Sequence, residues 1–323
     1  MSTIKRLDID TFPKGEISET HVHIVSNGIG EPIRVPTLVA RGLKPGPTVG
    51  ITAAIHGNEL NGIPVIQRLF REIDVKQLRG TLVGAFPLNL PGLLINQREF
   101  NDGVDLNRIA PGSPYGDQSA IYIHRVLEKI VKHFDFLIDL HTASFGRVNS
   151  YYIRADMDDP VTRRMALLQG PDIILHNPPK GHSLRGAASE MGIKSITIEL
   201  RDPNLFQRSI IKDAVHGITN ILYDLDVLAG EPTCPTHETI LCSGSYWQYT
   251  DEGGVLQVFP VVKQRVSCGE KIAEVSNIFG KPVKEFFAND NGIVIGKSVH
   301  PINQTGSRIL HLGLNPQIIP CEL

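Results

Sequence analysis

Across residues 1–230, apolar runs of strand length alternate with longer amphipathic segments, and no other feature constrains the fold as strongly. Such alternation predicts an α/β layer fold. Strands are expected at 21–26, 34–41, 48–55, 81–87, 136–141, 150–154 and 195–200. Helices are expected at 58–73, 119–133, 158–169, 183–191 and 205–228. In the first of these, Leu60, Ile63, Ile66, Leu69 and Phe70 recur at the spacing of one helical face. The stretch 89–115 is long, polar and rich in Gly, Pro, Asn and Arg. A loop of that length inside a compact domain is usually functional.

The pattern changes after Ala229-Gly230-Glu231-Pro232. From there the chain reads as short β-runs punctuated by Gly, Asn and Asp turns, so two domains are expected, at 1–230 and 231–323. A weak internal repeat runs through the second. Residues 251–256 and 268–273 form one half, and residues 289–294 and 305–310 the other. Each half is turn-strand followed by Gly-turn-strand, and two such halves can interlock as a small β sandwich-barrel. This half of the chain resembles the barrel-sandwich hybrid fold of lipoyl and biotinyl domains. Asp290-Asn291 stands where those domains carry their modified lysine, so a carrier role is not expected.

Bulk properties exclude several function classes. A net charge of −2 argues against a general nucleic-acid or membrane-surface binder. No apolar stretch approaches a membrane span, and residues 1–8 hold no apolar core of signal-peptide length. Cys234, Cys242, Cys268 and Cys321 lack CxxC spacing. They read as too few and too irregular for a disulfide framework, and the expected setting is a reducing cytoplasm.

The chemistry-bearing residues sit at the ends of apolar runs. The run 49–55 ends in His56-Gly57-Asn58-Glu59, and the run 136–141 ends in Asp139-Leu140-His141. Strand C-termini of a parallel sheet gather at one edge, so His56, Glu59 and His141 can converge there. Two imidazoles and a carboxylate with one position left for water form the donor set of a hydrolytic zinc site. Taken singly, each is also explained as an isolated polar residue at a strand end. Asp139 shares the strand face of His141 and is placed either to orient that imidazole or to make an ordinary structural contact.

The strand 195–200 ends in Glu199, which can reach the same edge and exchange protons with water and a leaving nitrogen. A surface glutamate at a strand end is the plain alternative. In the polar loop, Asn107 and Arg108 can bind a substrate carboxylate, and Arg98 can polarise a carbonyl. A solvated loop laced with salt bridges would explain the same residues. Arg185 is either a further anion contact or a helix-surface arginine.

Taken together, His56-x-x-Glu59, Asp105-Leu106-Asn107-Arg108, Asp139-Leu140-His141 and Ile198-Glu199 resemble the succinylglutamate desuccinylase/aspartoacylase family, a branch of the zinc-carboxypeptidase-like hydrolases. The resemblance covers most of the chain, and the order of the motifs is its specific part. It implies a mixed central sheet flanked by helices, followed by a small β domain. It implies Zn2+ held by His56, Glu59 and His141, Glu199 as general base and acid, Asn107 and Arg108 as carboxylate binders, and Arg98 as carbonyl polariser. The segment 182–189, with Arg185, departs from characterised aspartoacylases, so the family's named substrates do not transfer.

The expected function is therefore zinc-dependent hydrolysis of the amide bond of a small N-acyl amino acid, with no nucleic-acid or membrane partner and with homo-oligomerisation left open. The alternatives are a metallocarboxypeptidase acting on peptides and a non-catalytic metal-binding module. The remaining histidines, His176 and His311 among them, lack ligand-spaced partners and are expected in surface or core packing.

Overall fold

The computed structural model describes residues 2–321. Eleven strands form one mixed sheet. In spatial order they are Ser2–Ile4, Glu16–Ser26, Pro32–Arg41, Arg79–Ala85, Lys44–Ala53, Phe136–His141, Lys194–Leu200, Tyr151–Ala155, Ile173–His176, Thr239–Cys242 and Gln317–Ile319. The four central neighbours, from Arg79–Ala85 to Lys194–Leu200, run parallel. Their apolar side chains are buried from both sides, the environment that near-continuous Val, Ile and Leu runs require.

Helices cover both faces. One core layer joins Ile51, Ile138 and Ile196 to Val65, Ile66 and Leu69 of helix Gly62–Glu72 and to Ile210 and Ile218 of helix Arg208–Asp224. The other joins Val83 and Leu137 to Tyr122 and Val126 of helix Gln118–Lys129 and to Ala187 of helix Leu184–Glu190. Helix starts follow local chemistry. Asp117, Asp159 and Ser183 each accept a hydrogen bond from a first-turn backbone N–H.

The first helix begins at Gly62, not near residue 58. His56 to Asn61 instead form a tight connection entered through Ala54, whose φ of +55° is left-handed backbone. Gly57 is required in this turn, because a Cβ there would lie 2.1 Å from the backbone carbon of Gly92. The short strands Arg147–Asn149 and Ile173–His176 were not expected from periodicity. The loop 89–115 contains only the helical turns Leu90–Leu94 and Leu106–Arg108.

After residue 225 every regular element among the described residues is a strand. Gly254–Val258 pairs antiparallel with Lys271–Ser276 in one sheet, and Gly292–Ser298 with Arg308–Leu314 in another. Each half of the sequence repeat thus supplies one pair. Leu256, Ile272, Val275, Val294, Ile309 and Leu312 pack together as their core. Two connections tie this region to the rest. Thr239–Cys242 and Gln317–Ile319 extend the large sheet, and Arg147–Asn149 pairs with Gly292–Ser298.

The cysteine expectation is corrected. Cys234 and Cys321 form a disulfide, with Cα atoms 5.7 Å apart and a separation of 87 positions in sequence. Strand pairing at the sheet edge brings the two segments together, which spacing could not reveal. The cysteine pattern therefore gives no support to a reducing compartment. No helix among the described residues is long and apolar enough to cross a membrane.

Candidate active site

His141 ends the strand Phe136–His141, and Glu199 is its register partner on the parallel strand Lys194–Leu200. His56 and Glu59 arrive from the turn that follows Lys44–Ala53, the neighbouring parallel strand. One nitrogen of each imidazole and one oxygen of Glu59 lie within 4.8 Å of one another, all three residues buried. His56 Nδ1 is 2.8 Å from Glu59 Oε1, and His141 Nδ1 is 3.0 Å from Glu59 Oε2.

The opposite nitrogens are also occupied. His56 Nε2 is 3.1 Å from Asp105 Oδ1, and His141 Nε2 is 2.7 Å from Asp139 Oδ2. Asp139 is itself fixed by the Thr52 hydroxyl, which donates to Oδ1 at 2.7 Å. Carboxylates on both outer nitrogens favour the tautomer whose inner Nδ1 offers a lone pair, the arrangement that orients metal-ligating histidines. His56 Nδ1 is buried and makes no hydrogen bond despite its closeness to Glu59. That orphaned atom, facing an ionised carboxylate, fits a divalent cation between the three residues. Burial opposes ionisation of Glu59, yet charge and hydrogen bonding from His56 and His141 in their protonated form hold its pKa well below the usual carboxylate value.

Arg98 is gathered into the same network. Its Nε and Nη2 donate to Asp105 Oδ2 at 3.0 and 2.9 Å, and its Nη1 donates to Glu59 Oε1 at 2.9 Å and to the Ser144 hydroxyl. Asp105, expected only as part of the Asp105-Leu106-Asn107-Arg108 motif, thus bridges His56 and Arg98. Its carboxyl lies well below the ordinary range, because hydrogen bonding and charge from His56 and Arg98 overcome the effect of burial.

These groups open into a cavity of about 390 Å³ that also reaches Asn107, Arg108, Arg185 and Glu199. Asn107 Oδ1 accepts from the Leu184 backbone N–H at 2.7 Å, which leaves its Nδ2 as a donor toward the cavity. Arg108 is exposed, and among the described residues its side chain donates only to the Asn107 carbonyl, at 3.0 Å. Arg185 is 5 % exposed, so it is not a helix-surface arginine. Its Nη2 donates to Asn177 Oδ1, its Nη1 has no hydrogen-bond partner among the described residues, and burial pushes its pKa down to about 10.

Glu199 Oε2 accepts from Asn149 Nδ2 at 3.2 Å, and Arg154 Nε stands 3.6 Å from Oε1. Arg154 also donates to the Tyr152 hydroxyl at 2.6 Å. The sequence reading missed Asn149, Tyr152 and Arg154. The signal was weak: Tyr152 is the antiparallel register partner of Glu199, and that pairing has no local signature. Also missed were Arg147, Trp247 and Arg308, which line the cavity from the C-terminal β region and the strand paired to it.

His311 sits in core packing, stacked on Trp247 at 4.9 Å and bonded to the Ser245 hydroxyl at 2.8 Å. His176 does have acidic neighbours, Asp156 and Asp158, but Asp158 is 89 % exposed and the group is open to solvent.

The description of the succinylglutamate desuccinylase/aspartoacylase catalytic domain matches residues 45–225. A curated relative, the N-alpha-acetyl-L-2,4-diaminobutyric acid deacetylase of Halomonas elongata, is 26 % identical over 279 residues, covering 81 % of this chain and 80 % of its own. Among solved structures, a succinylglutamate desuccinylase/aspartoacylase from Rhodobacter sphaeroides superposes with a TM-score of 0.85 at 20 % identity, covering 97 % of this chain and 98 % of that one. The product-bound ectoine utilization protein EutE (DoeB) from Ruegeria pomeroyi gives 0.84 at 19 % identity, with 94 % and 98 % covered. At these identities the two superpositions speak for the fold alone.

Proposed function

The chain belongs to the succinylglutamate desuccinylase/aspartoacylase catalytic-domain family, and from that premise we propose that it is a zinc-dependent amidohydrolase removing the acyl group from a small N-acyl amino acid. The observation that supports this most is the convergence of His56, Glu59 and His141 around one point, with Glu199 in register beside His141. Those three residues would hold Zn2+, which when bound supplies Lewis acidity toward a water and an acyl oxygen.

The rest is done by the protein. Glu199 takes a proton from the attacking water and returns it to the leaving nitrogen. Asn149 holds that carboxylate by its Oε2, which fixes the direction in which the other oxygen acts. Arg98, held beside the donor triad by Glu59 and Asp105, supplies the positive charge that stabilises the developing oxyanion. Arg108 and the Asn107 Nδ2 bind the substrate carboxylate, and the spare Nη1 of Arg185 adds a further anion contact. Residues 231–323 act as a small β domain of barrel-sandwich type, and Trp247 and Arg308 from it narrow the cavity, favouring small substrates over peptides.

A panel of N-acetyl, N-succinyl and related amides of amino acids, alongside short peptides, tests this reading. Turnover of N-acyl amino acids should vanish on chelation and return with zinc. Turnover untouched by chelation removes the metal from the scheme, and preferential cleavage of peptides makes the protein a carboxypeptidase instead.

A further inference from the structure

Glu199 is steered by a residue whose own place depends on the C-terminal β region. Asn149 is buried and donates from Nδ2 to Glu199 Oε2 at 3.2 Å. It closes the strand Arg147–Asn149, which is only three residues long and stands outside the large sheet. Among the described residues this strand pairs only with Gly292–Ser298, where Gly296 lies opposite Asn149, Lys297 opposite Val148 and Ser298 opposite Arg147. The flanking chain is fastened to the same partner. The Ser150 backbone N–H and hydroxyl both donate to the Ile295 carbonyl, at 2.8 and 3.0 Å, and the Val299 N–H donates to the Gly146 carbonyl at 2.8 Å. The C-terminal β region therefore fixes where the Asn149 backbone stands.

Opposite Asn149, the partner strand carries no side chain. The φ of Gly296 lies outside the left-handed region, so its backbone conformation does not call for glycine. What excludes a side chain is space. A Cβ on Gly296 would lie 2.3 Å from Asn149 Oδ1 and 2.9 Å from the Val148 carbonyl oxygen. Opposed side chains of an antiparallel pair normally stand side by side, with Cβ atoms about 4.5–5.5 Å apart. Here the Asn149 amide leans across the pair into the room a Cβ would fill, and in that position its Nδ2 reaches Glu199. Glycine inside a strand weakens it, and it commonly marks such a close approach. The other Glu199 oxygen is held more loosely, with Arg154 Nε 3.6 Å from Oε1.

We infer that Gly296 is a positioning residue for the reaction: by leaving its side-chain space to Asn149, it sets the direction of the Glu199 carboxylate. The C-terminal β region then takes part in proton transfer through one backbone position, besides shaping the cavity. A carboxylate that must meet a water and then a leaving nitrogen is sensitive to its placement, and an error of about 1 Å can cost about 10²-fold in rate. The inference rests on the reading of Glu199 as the base, but its geometric part does not.

A double-mutant cycle on the zinc-loaded protein tests it, with rates expressed per bound zinc. Gly296→Ala should lower kcat by about 10–100-fold while KM stays within about twofold of the wild type. Asn149→Ala should lower kcat by a similar factor, because it removes the same hydrogen bond. The double variant decides between routes. If Gly296 acts through Asn149, adding Gly296→Ala to Asn149→Ala should cost less than about twofold more, whereas independent effects multiply. Wild-type kcat in either single variant, or a double variant that shows the product of the two losses, overturns the inference. If Gly296→Ala alone does not fold, the double variant is compared with Asn149→Ala by the same criterion, and a double variant that also fails to fold makes Gly296 a folding residue and overturns it too. If the wild type cleaves nothing in the N-acyl amino-acid panel, the hydrolase reading fails by itself. The geometry is then decided by a crystal structure of Gly296→Ala: it stands if Asn149 Nδ2 has left Glu199 with the strand pairing intact, and falls if that bond persists or the variant does not fold.

Discussion

The cavity has two walls built on opposite electrostatic plans. On the inner wall, at the ends of the parallel strands, His56, Glu59, Arg98, Asp105, Asp139 and His141 form one closed circuit in which each charge meets another. On the outer wall, Arg147 and Arg308 flank an aromatic ring, and among the described residues neither makes an ion pair. The inner wall is pre-organised for a reaction, because its groups are held by each other before any substrate arrives. Position and charge thus differ together, with paired charges deep at the strand ends and guanidiniums against an aromatic ring at the mouth.

Breaking the inner wall should cost the most. Glu199→Gln removes the proton acceptor while keeping its shape and its contact with Asn149, and turnover should fall by about 10²–10⁴-fold in steady-state assays with little loss of zinc. Retained turnover would take Glu199 out of the reaction. Next in size is Asp139→Ala, which leaves His141 in place but frees its outer nitrogen. Zinc affinity, measured by competition with a chromogenic chelator, should weaken by about 10–100-fold. An unchanged affinity would reduce Asp139 to a packing residue.

The smallest effect sharpens the contrast from the other side. His311, behind Trp247, is kept neutral by burial and then by Arg154 and Arg308, which hold its pKa well below the ordinary imidazole value. In the unfolded chain it titrates near pH ~6.5, so below that pH the unfolded state binds a proton that the folded state refuses. Its contribution to stability is therefore present above this pH and is lost as pH falls toward the depressed folded value. The wild-type Tm should drop between about pH 7 and 5 by an amount equivalent to roughly 1 kcal/mol per pH unit, and His311→Gln should show a shallower drop. Equal slopes would mean that the imidazole takes up its proton freely inside the fold.

The convergence of His56, Glu59, His141 and Glu199 was legible in the sequence because its logic is local, whereas the bridging place of Asp105 was not. His56, Glu59, His141 and Glu199 each follow an apolar run, and a parallel sheet brings such strand ends together whatever the loop lengths between them. Helices were legible too, though the first starts at Gly62 because the turn before it must present two side chains to the site. Asn149, Arg154 and the outer-wall arginines were not legible. Their places depend on register between distant segments, such as Arg147–Asn149 against Gly292–Ser298, and register leaves no mark on either partner alone. The bond between Cys234 and Cys321 escaped for the same reason.

The C-terminal β region leaves the large sheet through Thr239–Cys242 and comes back to it through Gln317–Ile319, side by side. A segment fastened at both ends to one edge, and stitched again at Arg147–Asn149, cannot swing away on a single pivot. Any widening of the mouth would then have to come from individual side chains and not from this region turning as a whole.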